Sequence, residues 1–116
     1  YNKPDTTFVA EFVGAPPMAL ISSEALKGFG KDQTIGVRTE NVTIVKKGAG
    51  RLSCVVRESE FLGAETMIGL DHKHAIGLTV MQPGLTLMQE GQPIDITFDD
   101  SDLHVFDGSG NRVAAP

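Results

Sequence analysis

From Gln33 onward, apolar and polar residues alternate in short runs, and each run ends at a cluster of turn-forming residues. A period of two puts successive side chains on opposite faces of an extended strand, so such runs suit a sheet buried on one face. Ile35 and Val37 alternate with Gly36 and Arg38, and Leu52, Cys54 and Val56 alternate with Arg51, Ser53 and Arg57. Thr66, Ile68 and Leu70 continue the pattern, then Ile76, Leu78 and Val80, then Ile94, Ile96 and Phe98. The interruptions at 47–50, 71–74, 82–84 and 90–93 carry Gly, Pro, Asp or Lys, the punctuation of tight turns. An apolar run at 18–21 adds a first buried strand. Five to six short antiparallel strands predict a mainly β chain, and at this size a small OB-type barrel is the common solution. The thirteen glycines suit the corners of such a barrel.

Ahead of the strands, Phe8 and Phe12 are four apart, as are Val9 and Val13, which places one apolar stripe on a helical face. Asp5 can accept from the first free amides, and Gly14 followed by Pro16-Pro17 stops the helix. The predicted organisation is a short N-terminal helix within 1–17, a β domain over 18–113 and a tail at 114–116. A start at Tyr1 rather than Met leads us to expect a piece cut from a longer protein.

A net charge of −5 opposes a nucleic-acid backbone, whose binding rests on clustered Lys and Arg. Lys46-Lys47 is the one adjacent basic pair, and it reads as a solvated turn. No apolar run approaches the ~20 residues needed to span a bilayer. Cys54 is the lone cysteine and sits within an apolar run, which suggests a packed thiol.

Catalytic signals are weak. Gly28-Phe29-Gly30-Lys31-Asp32 approximates a phosphate loop, but Ala25 stands where its first Gly belongs and Asp32 where it needs Ser or Thr. His72 and His74 could offer two imidazoles to a metal, yet no further ligands follow at recognisable spacing, so an exposed hairpin tip is the better reading. Asp99, Asp100 and Asp102 fail the calcium-loop pattern and read as a turn whose side chains accept backbone amides. No nucleophile elbow is present. In Leu103-His104-Val105-Phe106, Leu103 and Val105 share one face while His104 and Phe106 share the other. Phe106 therefore either projects outward toward a partner or covers the N-terminal helix.

Four blocks occur in a telling order: residues 1–18 with Phe8-Val9-Ala10 and Phe12-Val13-Gly14-Ala15-Pro16-Pro17-Met18; Ile35 through Glu40; Glu60-Phe61-Leu62-Gly63-Ala64-Glu65-Thr66; and Asp102 through Arg112 with Leu103-His104-Val105-Phe106-Asp107. Together they resemble the C-terminal regulatory region, a TOBE domain, of the ATP-binding subunits of bacterial carbohydrate and glycerol-phosphate ABC importers. Thr39 departs from the family's Pro, and the stretch at 21–33 is shorter than the family's. The resemblance implies a regulatory and dimer-assembly domain without catalysis or cofactor of its own. ATP and Mg would belong to an N-terminal part that this chain lacks. It also implies a homodimer, permease subunits reached through the ATPase part, a regulatory protein in some members, no nucleic-acid partner, and a cytoplasmic location at the inner face of the membrane. By the same resemblance, His104 and Phe106 lie near the two-fold contact, Gly63 occupies a tight corner where a side chain would collide, and Arg38 and Glu40 hold the turn of the second block. Two rival classes follow from related folds. An oxyanion- or sugar-binding TOBE module would need Arg38, Arg51 or Arg57 to converge. An oligonucleotide-binding protein would need outward aromatics in a basic groove.

Overall fold

The structure, a computed structural model, describes residues 18–113. It contains ten strands: β1 (Met18–Ser22), β2 (Thr34–Arg38), β3 (Thr43–Val45), β4 (Leu52–Phe61), β5 (Glu65–Asp71), β6 (Ala75–Ile76), β7 (Thr79–Pro83), β8 (Pro93–Thr97), β9 (His104–Phe106) and β10 (Arg112–Val113). They form two antiparallel five-stranded sheets, ordered β10-β9-β2-β1-β6 and β3-β8-β4-β5-β7. The mainly β expectation holds. The arrangement differs from the expected cylinder of five to six strands, because the pairings make two separate ladders. Strands such as β3, β6 and β10, two or three residues long, are too short to show alternation, and only their neighbours recruit them. Helical backbone among the described residues is limited to three 3-10 turns, at Ser23–Ala25, Thr39–Asn41 and Asp100–Asp102. The N-terminal helix and the tail fall outside the described residues. No helix among the described residues is long and apolar enough to cross a membrane.

The alternation seen in the sequence becomes one shared core. Ile21, Ile35, Val37 and Val105 from the first sheet meet Leu52, Val56, Ile68, Val80 and Ile96 from the second, all buried in a single cluster. Burying each such side chain stabilises the fold by roughly 1.5–3 kcal/mol relative to exposure.

Two local devices shape the second sheet. The β4–β5 register shifts between Val56 and Glu58, a bulge that sets Arg57 apart. Arg57 Nη1 donates to the Leu70 carbonyl at 3.2 Å and to Asp71 Oδ1 at 2.9 Å. The second device is Asp95 on β8. Its Oδ2 accepts from the Gly48 and Gly50 amides at 2.9 and 3.2 Å, and its Oδ1 accepts from the Ser53 hydroxyl at 2.9 Å. This one carboxylate ties the 46–50 loop to the sheet.

Candidate functional site

His104 and Phe106 lie on β9, opposite Gly36 and Thr34 of β2. The core takes Leu103 and Val105, so His104 and Phe106 do share the other face. The outward projection considered for Phe106 is corrected by its burial, for it is only 3 % exposed. It closes in beside Met18 over Gly36: a Cβ placed on Gly36 would stand 3.0 Å from the Met18 sulfur and 3.5 Å from the Phe106 ring. The missing side chain at Gly36 is what lets those two apolar groups settle over the strand.

His104 is half-buried beside Arg112, whose Nη2 lies 2.6 Å from His104 Nδ1. A guanidinium only donates, so Nδ1 accepts and the imidazole proton sits on Nε2. Burial pushes the His104 pKa below its ordinary value, the Arg112 and Arg38 charges push it further the same way, and Asp102 opposes them. A folded-state pKa below the unfolded one means the neutral ring stabilises the fold above about pH 6.5, a contribution lost as pH falls through the folded value. The expected result is a His104 titration midpoint below about 6.5 in an NMR titration, moved upward by Arg112→Ala. An unmoved midpoint would remove the Arg112 contact from the account.

Arg38 ends β2 opposite Met18, and Glu40 is exposed in the 3-10 turn Thr39–Asn41 that follows. That turn leans on β7, leaving an open groove of about 430 Å³ lined by Thr39, Glu40, Val42, Glu65 and Met81. Two carboxylates in its wall make it unwelcoming to anions. Gly63 lies in the β4–β5 turn with φ +101, and a Cβ there would meet nothing within 4 Å. The expected collision is therefore corrected. Glycine suits this corner because the backbone is left-handed, not because space is short.

The arginines required by the oxyanion reading are engaged locally instead of converging. Arg51 pairs with Asp100 at 2.8 Å, donates to the Phe98 carbonyl at 3.0 Å and lies 5.0 Å from the Phe98 ring centre. Arg57 is held by Leu70 and Asp71, and Arg38 is likewise engaged.

The histidine turn is no free hairpin tip. His74 offers its carbonyl to the Ser22 amide at 2.8 Å, which docks the turn on β1. His72 Nδ1 accepts from the His74 amide at 3.0 Å, so the ring proton sits on Nε2 and the one in-plane lone pair of the His72 ring is already engaged. Among the described residues, no group of three or more His, Cys, Asp or Glu is placed to hold a metal ion. Burial, aided by the Asp95 charge, pushes the Cys54 thiol up to about 11. Thiol reagents are expected to label Cys54 only at the rate of unfolding, so fast labelling of the native chain would contradict this packing.

Sequence reasoning missed Asp95. By alternation it belongs to the solvent face of β8, and the one available signal was the paired Gly48 and Gly50 of a loop needing an anchor.

A family model described as a TOBE domain matches residues 35–106, more than half of the chain. The chain belongs to the TOBE domain family. The match runs from the second residue of β2 to the end of β9, so it takes in strands of both sheets and most of the common core. The domain is also similar to proteins named sn-glycerol-3-phosphate import ATP-binding protein. Identity is 28 % with one from Agrobacterium fabrum, 27 % with one from Paracoccus denitrificans and 30 % with one from Rhodopseudomonas palustris, each covering 97 % of this chain. The chain spans only 37–38 % of those relatives' length. Each alignment exceeds the 116 residues present here, so the relatives carry residues within the matched span that have no counterpart in this TOBE domain.

Proposed function

We propose that residues 18–113 are the C-terminal regulatory and assembly domain of an ATP-hydrolysing ABC importer subunit, and that residues 1–17 link it to the nucleotide-binding part. One observation carries the reading: similarity to import ATP-binding proteins extends over 97 % of the chain, and it lies on a TOBE domain. In this reading the fragment holds no catalytic residue or cofactor, while ATP and Mg act in the preceding part. Permease subunits are engaged through that same part, at the cytoplasmic face of the membrane. Sugars or glycerol phosphate are the transported class, as the relatives' names suggest for glycerol phosphate.

The domain's own task is to pair with a second copy and keep the assembly together while the catalytic halves open. His104 belongs to the outer face of the first sheet that would make this contact, with Phe106 buried on the same face as support. Arg38 and Glu40 hold the turn after β2, and Gly63 shapes the β4–β5 corner. A regulatory protein is a further partner in this reading, and nucleic acid is not. The local engagement of Arg51 and Arg57 gives the oxyanion alternative no support.

The coding sequence that surrounds this chain tests the assignment. An in-frame nucleotide-binding cassette upstream of Tyr1 is expected, and a frame without one would overturn it. Sedimentation equilibrium of the chain and of His104→Asp tests the pairing separately: a dimer weakened by the substitution supports it, and a dimer indifferent to it removes His104 from the contact.

A further inference from the structure

One edge of the first sheet is lightly held. β6, two residues long, is an edge strand that pairs with β1 through Leu20–Ile76 and Ile21–Ala75. The turn before it adds a further tie, because the Ser22 amide donates to the His74 carbonyl at 2.8 Å. An imidazole fixes the shape of that turn. His72 Nδ1 accepts from the His74 amide at 3.0 Å, and the Ala75 amide donates to the His72 carbonyl at 3.2 Å. His72 is therefore the pivot of the turn, and its acceptor role requires a neutral ring.

Proton uptake would undo that role. An imidazolium carries hydrogen on both nitrogens, so Nδ1 would face the His74 amide donor to donor. No rotation of the ring restores an acceptor. The charges nearby do not compensate. Burial, then His74 and Lys73 on the same turn, push the His72 pKa below its ordinary value. Asp71, next in the chain, is taken by Arg57 at 2.9 Å. Glu24, in the 3-10 turn after β1, lies 3.8 Å from His74 Nδ1 and is mostly exposed. It would draw a charged His74 inward, but an exposed pair of that kind contributes little.

We propose that the 72–75 turn is a proton-operated latch: charging His72 releases the turn and β6, and bares the β1 edge. A folded-state pKa below the unfolded one means the latch contributes fully above about pH 6.5, and its hold is lost as pH falls through the folded value. An uncovered strand edge presents unpaired backbone groups to any extended segment able to add to the sheet. The inference rests on the hydrogen bonds of the turn and does not depend on the importer reading.

Amide hydrogen exchange of the whole chain, read by NMR and corrected for intrinsic rates, tests the latch between about pH 7.5 and about pH 4.5, a window that brackets an imidazole. Protection of the Ser22 amide is expected to fall by about tenfold or more, the scale of one lost hydrogen bond. Its midpoint should coincide with the titration of the His72 ring. The Arg51 amide, bonded to the Ile96 carbonyl in the second sheet, should keep its protection. His72→Asn supplies the control, because an Asn side-chain oxygen can accept from the amide two residues on at any pH. The pH response at Ser22 should then vanish. Glu24→Gln should leave the midpoint where it is. A Ser22 amide indifferent to pH, or a response that survives His72→Asn, would overturn the latch. So would a response lost in Glu24→Gln, which passes control to His74, or an equal loss at Arg51, which signals general unfolding.

Discussion

Gly50→Ala is expected to destabilise the domain by about 2–4 kcal/mol. The added Cβ would stand 2.6 Å from the Asp95 Cβ, 2.8 Å from the Ile96 carbonyl oxygen and 2.9 Å from the Ile96 nitrogen. Backbone atoms in a paired strand cannot swing aside, so either the loop lifts off or β8 shifts. In both cases the Gly48 and Gly50 amides lose the Asp95 carboxylate. Gly48→Ala in the same loop provides the control. Its φ is +89 and a Cβ would meet nothing within 4 Å, so only the left-handed backbone resists, at about 1–2 kcal/mol. Urea unfolding of both variants checks the contrast, and equal losses would remove close approach as the reason for Gly50. The same anchor adds a pH dependence. Hydrogen bonds from Ser53 and Gly48 hold the Asp95 carboxyl below the ordinary carboxylate range, against a smaller opposing effect of burial, with Gly50 and Lys47 also lowering it. Its contribution is therefore complete above the unfolded pKa, near about 4, and disappears as pH falls through the lower folded value.

Phe106→Ala is expected to cost about 3–5 kcal/mol, the range for removing a buried phenyl ring. The ring is nearly inaccessible, and both it and the Met18 side chain lie within contact range of the space above Gly36. Met18 is flexible enough to fill part of the cavity, which favours the lower end of that range. Phe106→Leu keeps more of the volume and should lose about 1–1.5 kcal/mol. A loss below about 1 kcal/mol for Phe106→Ala would return the ring to the surface and restore its reading as a direct contact residue. The destabilisation should be measured before any change in self-association is read, since an unfolded fraction would imitate a lost contact.

Much of the fold was legible because strand parity is local. The alternation around Leu52, Cys54 and Val56, and around Ile94 and Ile96, put the correct side chains into the core. The same parity correctly separated Val105 from Phe106. The pairing of the strands was not legible. β2 is joined by β1 on one side and by β9, nearly seventy residues later, on the other, and no local pattern records that choice. β4 also runs on to Phe61 through a bulge that breaks its alternation, so its second half did not read as strand. Gly63 was recognised as a corner, yet its reason required the backbone angle. Leu85 and Leu87, exposed in the loop after β7, gave little warning, because two leucines in a loop resemble any short apolar run until the loop is seen strapped down by Thr66 and Ser59.

Alternation by itself determined which residues share a face and therefore which side chains could form a core, because a period of two depends only on adjacent residues. Whether the opposite face stays in water was decided by tertiary structure alone. Asp95 is covered by a loop that meets it across 47 positions of sequence, Phe106 is covered beside Met18, and Leu85 and Leu87 are left bare. Covering a face takes contacts between segments far apart in the chain, and their meeting depends on how the two sheets close over one another.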